Sequence, residues 1–123
     1  MNTEQAVNPK IELINFKDEE CIKFTFNGHF SVKNAEYGVN EWKEFFDSAR
    51  DQKIILIWDA VGMTGFDNKA RVVWQHAIKD FKKQINCVWL ISDSKVIIAG
   101  AKVMSAFTSF CLKAVKNTNQ IKF

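Results

Sequence analysis

Two short apolar runs constrain this chain most. Ile54-Ile55-Leu56-Ile57-Trp58 and Cys87-Val88-Trp89-Leu90-Ile91 contain no charged residue. Each is too short for a helix, and each is flanked by polar residues. A strand points successive side chains to opposite faces, so a run that is apolar at every position is buried on both. Such strands lie inside a sheet and need cover on each side.

The segments around these runs supply candidates for that cover. Ala70, Val73, Trp74, Ala77, Ile78, Phe81 and Ile85 recur at helical spacing, with Asn68, Lys69, Arg71, Gln75, Lys79 and Lys82 on the outer side. Asp67 stands where a carboxylate can cap the first turn. Ala35, Val39, Trp42, Phe46 and Ala49 form a second stripe, predicting a helix over 33–50. Upstream, Ile11 and Leu13, then Ile22, Phe24 and Phe26, alternate with polar residues around Asp18-Glu19-Glu20. That period predicts a hairpin whose second strand ends at Asn27-Gly28. Ser92-Asp93-Ser94 turns the chain into a helix over about 95–108, and a short strand follows over about 110–115.

The order β-β-α-β-α-β-α-β predicts a single-domain α/β fold, a mixed sheet with helices on its faces. The domain is expected over 10–116, after a flexible lead at 1–9 and before a polar, frayed tail at 117–123. With 123 residues the chain is long enough for one self-sufficient core.

Charge and cysteine usage narrow the function classes. The 17 basic and 14 acidic residues are interspersed, leaving a net charge of +3. The densest basic stretch, Lys79, Lys82 and Lys83, is interrupted by Asp80 and reads as a solvated helix face, so no nucleic-acid partner is expected. No apolar run approaches the roughly 18 residues of a membrane span, and the N-terminus lacks a signal-peptide pattern. Cys21, Cys87 and Cys111 are odd in number and have neither metal-ligand nor redox spacing. They read as free thiols in a reducing compartment, hence a cytoplasmic protein.

In open α/β sheets, ligands and partners meet the loops at the carboxyl ends of strands. Two such loops, 59–67 and 92–95, each lead into a helix whose free backbone donors favour an anion. They nominate Asp59, Gly62, Thr64, Asp67, Asn68, Lys69, Ser92 and Ser94 as partner- or ligand-binding residues. Gly62 and Gly65 lack the spacing of a phosphate-binding P-loop. His29 and His76 read as surface or packing histidines without a sequence-local partner. No nucleophile elbow, zinc-protease motif or paired Cys/His spacing is present, so no catalytic residue, metal or cofactor is expected. The helix over 95–108 is apolar nearly all round, interrupted only by Lys95 and Lys102. Core packing, a homodimer or partner surface through Ile98, Gly100 and Met104, and a lipid-like ligand cavity all stay open for it.

The run from Ile54 to Asp67 resembles the signature of STAS domains, the SpoIIAA-like fold of anti-sigma-factor antagonists. The family pattern is an apolar strand, then Asp-x-x-Gly-Val, a short stretch, an apolar residue, and Asp-Ser-Ser-Gly opening a helix. Asp59 and Gly62 match the first pair, Met63 takes the Val place, and Phe66-Asp67 match the approach to the helix. The resemblance implies a regulatory module controlled by phosphorylation of the second Ser. Asn68 and Lys69 occupy the two Ser places and Ala70 the Gly place, and neither Asn nor Lys can carry that phosphate. The expectation is therefore a non-enzymatic regulatory or adaptor protein. It would bind an unidentified regulatory protein through the 60–69 loop and the following helix, without the Ser switch. The alternative is a carrier or sensor of a small hydrophobic or anionic ligand.

Overall fold

The computed structural model describes residues 7–49 and 52–123. Their elements, in chain order, are β1 (Lys10–Phe16), β2 (Glu19–Phe30), α1 (Val32–Ser48), β3 (Ile54–Phe66), α2 (Asn68–Phe81), β4 (Ile85–Ile91), α3 (Lys95–Thr108) and β5 (Leu112–Val115). The strands lie in the order β1-β2-β3-β4-β5. β1 and β2 are antiparallel, and every later pair is parallel. The predicted α/β class and element order are present, with β3 at the centre.

The hairpin turns two residues earlier than its acidic run suggests. Lys17 and Asp18 have φ of 51° and 66°, the backbone of a two-residue turn whose twist matches the strands it joins. Glu19 and Glu20 already belong to β2. The six N-terminal residues lie outside the described residues, but the end of the expected lead is pinned. Asn8 accepts the Asn27 backbone N–H at 3.0 Å, and Pro9 is buried.

All three helices pack on one face of the sheet. Each crossover steps to the next strand in the same direction, and crossovers of one hand then leave their helices on one side. Phe24, Leu56, Trp58, Val88 and Leu90 face Trp42, Phe46, Trp74, Ile78 and Met104 in one continuous core. Aromatic rings fill its centre: Trp42 lies edge-on to Phe24 at 5.2 Å and tilted to Trp74 at 5.2 Å, near the favoured spacing for ring pairs.

None of α1, α2 and α3 lies over the opposite face. Cys21, Ile55, Ile57, Trp89 and Ile91 form a second cluster there, and Ile121 completes it. The tail expected to fray instead provides the cover. Ile121 is fully buried, its carbonyl accepts the Lys17 ammonium, and Phe123 packs on Phe16 and Trp89.

Two further expectations are corrected. First, 59–67 is not a loop, and Asn27-Gly28 does not end β2. Both strands run on together, pairing Asn27 with Gly62, His29 with Gly65 and Phe30 with Phe66. Between Asp59 and Gly62, and again between Met63 and Gly65, β3 spends one residue more than β2. These bulges break the period-2 alternation by which a strand is read. Second, Cys87 and Cys111 are joined in a disulfide, leaving Cys21 as the free, buried thiol. Val88 N–H donates to the Cys111 carbonyl at 2.9 Å, so the bond links neighbouring strands at the start of β4 and β5. The reading of three free thiols, and with it the argument for a reducing compartment, loses its premise.

Candidate functional site

The site grows from the mismatch in strand length. β4 ends at Ile91 opposite Asp59, so the seven residues of β3 beyond Asp59 pair only with β2. They form a two-stranded overhang that projects past the sheet and feeds directly into α2.

Polar contacts fix the base and tip of this overhang. The Asp59 carboxylate accepts the Val61 N–H at 3.2 Å and lies 3.8 Å from the Lys23 ammonium. Gly62 is required by close approach: a Cβ there would run into the Asn27 side chain and sit 3.1 Å from the Phe26 carbonyl. At the tip, Asp67 occupies the N-cap position of α2, but its side chain makes no cap hydrogen bond. The carboxylate pairs instead with His29 Nε2 at 2.7 Å. His29 thus has a partner that sequence distance concealed, 38 positions away. Both side chains are about half exposed, 55% and 46%, so the pair is worth little in stability.

The outer side of the overhang carries exposed Val61 and Thr64, continued by exposed Asn68 and Lys69 on the first turn of α2. The inner side carries Ala60, Met63 and Phe66, which with α2 and α3 wall a small cavity. Phe30, Trp58, Trp74 and Leu90 form its floor. It holds about 50 Å³ of free space, and Arg71 is the charged residue on its lining. The Trp58 indole N–H is buried without an acceptor among the described residues.

The remaining candidates are distributed differently. Ser92 is buried and its hydroxyl accepts the Ser94 N–H at 3.0 Å. The Ser94 hydroxyl accepts the Ile97 N–H at 3.3 Å. Both hydroxyls are engaged in starting α3. Of the three α3 residues nominated for an apolar interface, Gly100 and Met104 point into the cavity, and Ile98 is half-buried. The outer face of α3 is formed instead by Val96, Ala99, Val103, Ala106 and Phe107. The cavity residues of β2 and α2 were legible only as core positions, because an apolar lining and an apolar core have the same pattern.

Among the described residues, no group of three His, Cys, Asp or Glu is placed to hold a metal ion. No helix among them is long and apolar enough to cross a membrane. The Cys21 thiol is pushed up from 9.0 to about 11, first by burial and then by the negative charges of Glu19 and Glu20. It is neutral and unreactive near pH 7.

No protein-family model matches the chain, and no curated protein matches it. Its backbone is similar to the crystal structure of an uncharacterised protein of the DUF3478 family from Shewanella loihica PV-4, described as having a SpoIIAA-like fold. The likeness covers 97% of this chain and 94% of that one, with a TM-score of 0.76 and 13% identity. At that identity it is the fold that is shared, and the fold is SpoIIAA-like, as the Asp59–Gly62 motif implied.

Proposed function

We propose that the chain is a STAS-like regulatory or adaptor module that recognises a partner protein with the outer side of its overhang. The observation that carries this reading is Val61, 68% exposed, which stands out on the first bulge of β3 with its N–H held by the Asp59 carboxylate at 3.2 Å, beside exposed Thr64, Asn68 and Lys69. A rigid, exposed apolar residue framed by polar ones loses little entropy on binding. Asn68 and Lys69 stand where the resemblance places serines, so recognition here is not gated by a phosphate at those positions. The test is affinity capture with Val61→Asp and Lys69→Glu beside the unaltered protein. Both variants are expected to lose the same captured protein while their thermal unfolding is unchanged. Capture that survives both substitutions refutes the reading.

The cavity favours a second reading, a sensor of a small apolar ligand. The pocket has about 50 Å³ of free space and an almost wholly apolar lining, so an apolar ligand entering it would remove apolar surface from water. Its inner wall is the same overhang, so occupancy would be felt at Val61 and Thr64. Native mass spectrometry of freshly purified protein is expected to show an added mass that Ala101→Leu, filling the void, abolishes. A bare mass, with no thermal shift from short fatty acids, removes this reading.

A further inference from the structure

A helix packed on one side of a sheet can bury only one stripe. α3 spends Ile97, Ala101, Met104 and Thr108 on that stripe, yet its outward positions are apolar too. Val96 is 67% exposed, Val103 39% and Phe107 74%. Val72 of α2, 41% exposed, adds a further apolar position on the neighbouring helix. At 1.5 Å per residue, the line from Val96 to Phe107 runs about 16 Å along the surface.

The surrounding charge is predominantly basic. Lys95 and Lys102 are exposed on α3, which contains no acidic residue. Lys79 near the end of α2 and Lys82 just after it line the same surface depression as Phe107, Lys82 also donating to the Thr108 carbonyl at 3.4 Å. Asp80 and Asp93 are the acidic residues nearest in sequence, one on α2 and one before α3. Two copies meeting through this face would bring Lys95 and Lys102 against their like, which disfavours self-association. Lysine is also depleted in protein–protein interfaces. A convex helix face bearing apolar side chains, framed by lysines, fits a partner that is anionic, apolar beneath and fluid enough to need no matching shape. An anionic lipid bilayer has those properties.

We infer that the outer face of α3, with the lysine end of α2, docks on an anionic membrane surface. Val96, Val103 and Phe107 enter the boundary between headgroups and acyl chains, and Lys79, Lys82, Lys95 and Lys102 lie among the lipid phosphates. The docking is peripheral, and it is independent of the overhang.

The test is co-sedimentation of the full chain with vesicles of phosphatidylcholine and phosphatidylglycerol in equal parts, against phosphatidylcholine alone. Binding is expected only to the mixed vesicles and is expected to weaken as salt rises. Each lysine near the surface is worth about fivefold in partitioning, so Lys95→Gln with Lys102→Gln should lower it roughly 25-fold. Phe107→Asp alters an exposed side chain, so the fold should be retained by circular dichroism while vesicle binding is lost. Asp67→Ala, on the overhang, should bind vesicles as the unaltered protein does. The inference is overturned by absence of binding to the mixed vesicles, by equal binding to both kinds, or by full binding of Phe107→Asp. It is equally overturned by a dimer in solution that Phe107→Asp dissociates, or by an acidic protein that replaces the vesicles on this face.

Discussion

At the scale of single residues, the buried Cys21 thiol gives the sharpest expectation. Its folded-state pKa is raised from 9.0 to about 11, so the folded protein holds a proton that the unfolded chain releases sooner. The stability this group contributes is complete below about pH 9 and is lost as pH climbs through about 11. Cys21→Ala should flatten that part of the stability curve, measured by urea unfolding at stepped pH. The same burial predicts that a thiol reagent leaves Cys21 unmodified in the native protein at pH 7 and labels it on unfolding. Rapid native labelling would contradict the burial. Gly62 carries the second expectation at this scale. A Cβ would meet the Asn27 side chain and the Phe26 carbonyl, 3.1 Å away. The side chain can swing aside, but the carbonyl belongs to the backbone of β2 between two paired residues, Thr25 and Asn27. Gly62→Ala should cost about 1–3 kcal/mol, read from the shift in urea midpoint, and no shift would mean the overhang is looser than its pairing implies.

Elements were legible in the sequence to the degree that one period governed them. Leu56 and Val88 sit in runs without polar interruption, and β3 and β4 were readable as interior strands for that reason. Trp74 and Ile78 belong to an apolar stripe of α2 whose period is unmistakable. The second half of β3 was not readable, because the bulges near Val61 and Thr64 remove the alternation and the glycines mimic a turn. Asp67 was legible as the cap of α2, but its carboxylate turns to His29, a contact set by the strand pairing and invisible locally. The Cys87–Cys111 bond was hidden by its separation of 24 residues, which matches no motif and becomes short only when β4 and β5 lie side by side. This bond closes the crossover that contains α3. Cross-linking a loop of that length stabilises a fold by about 3 kcal/mol in the chain-entropy description. Cys111→Ser, or reduction, should therefore lower the unfolding free energy by that order, read as a fall in the urea midpoint. A midpoint unaffected by reductant would show that the bond does not restrain the chain.

At the scale of the whole molecule, the arrangement is a sheet with two unequal covers. Three helices protect one face, while the other depends on a short C-terminal segment that composition marks as polar. Lys116, Asn117, Thr118, Asn119, Gln120 and Lys122 conceal the importance of Ile121 between them. A single apolar residue in a polar stretch carries no periodic signal, yet Ile121 is fully exposed to the sheet and fully withdrawn from water. Its place is held by the Lys17 ammonium on its carbonyl and by Phe123 against Trp89 at 6.1 Å. Ile121→Ala should cost about 2–5 kcal/mol, the range for emptying a buried aliphatic site, although only Lys122 and Phe123 follow it. Removing residues 117–123 should cost more and should uncover Ile55, Ile57, Trp89 and Ile91 together. That exposure is measurable as new binding of an apolar dye and as concentration-dependent association, because a bare apolar sheet face is an aggregation surface. A truncated chain that remains monomeric, dye-negative and as stable as the whole would show that the second face is protected by something other than its tail.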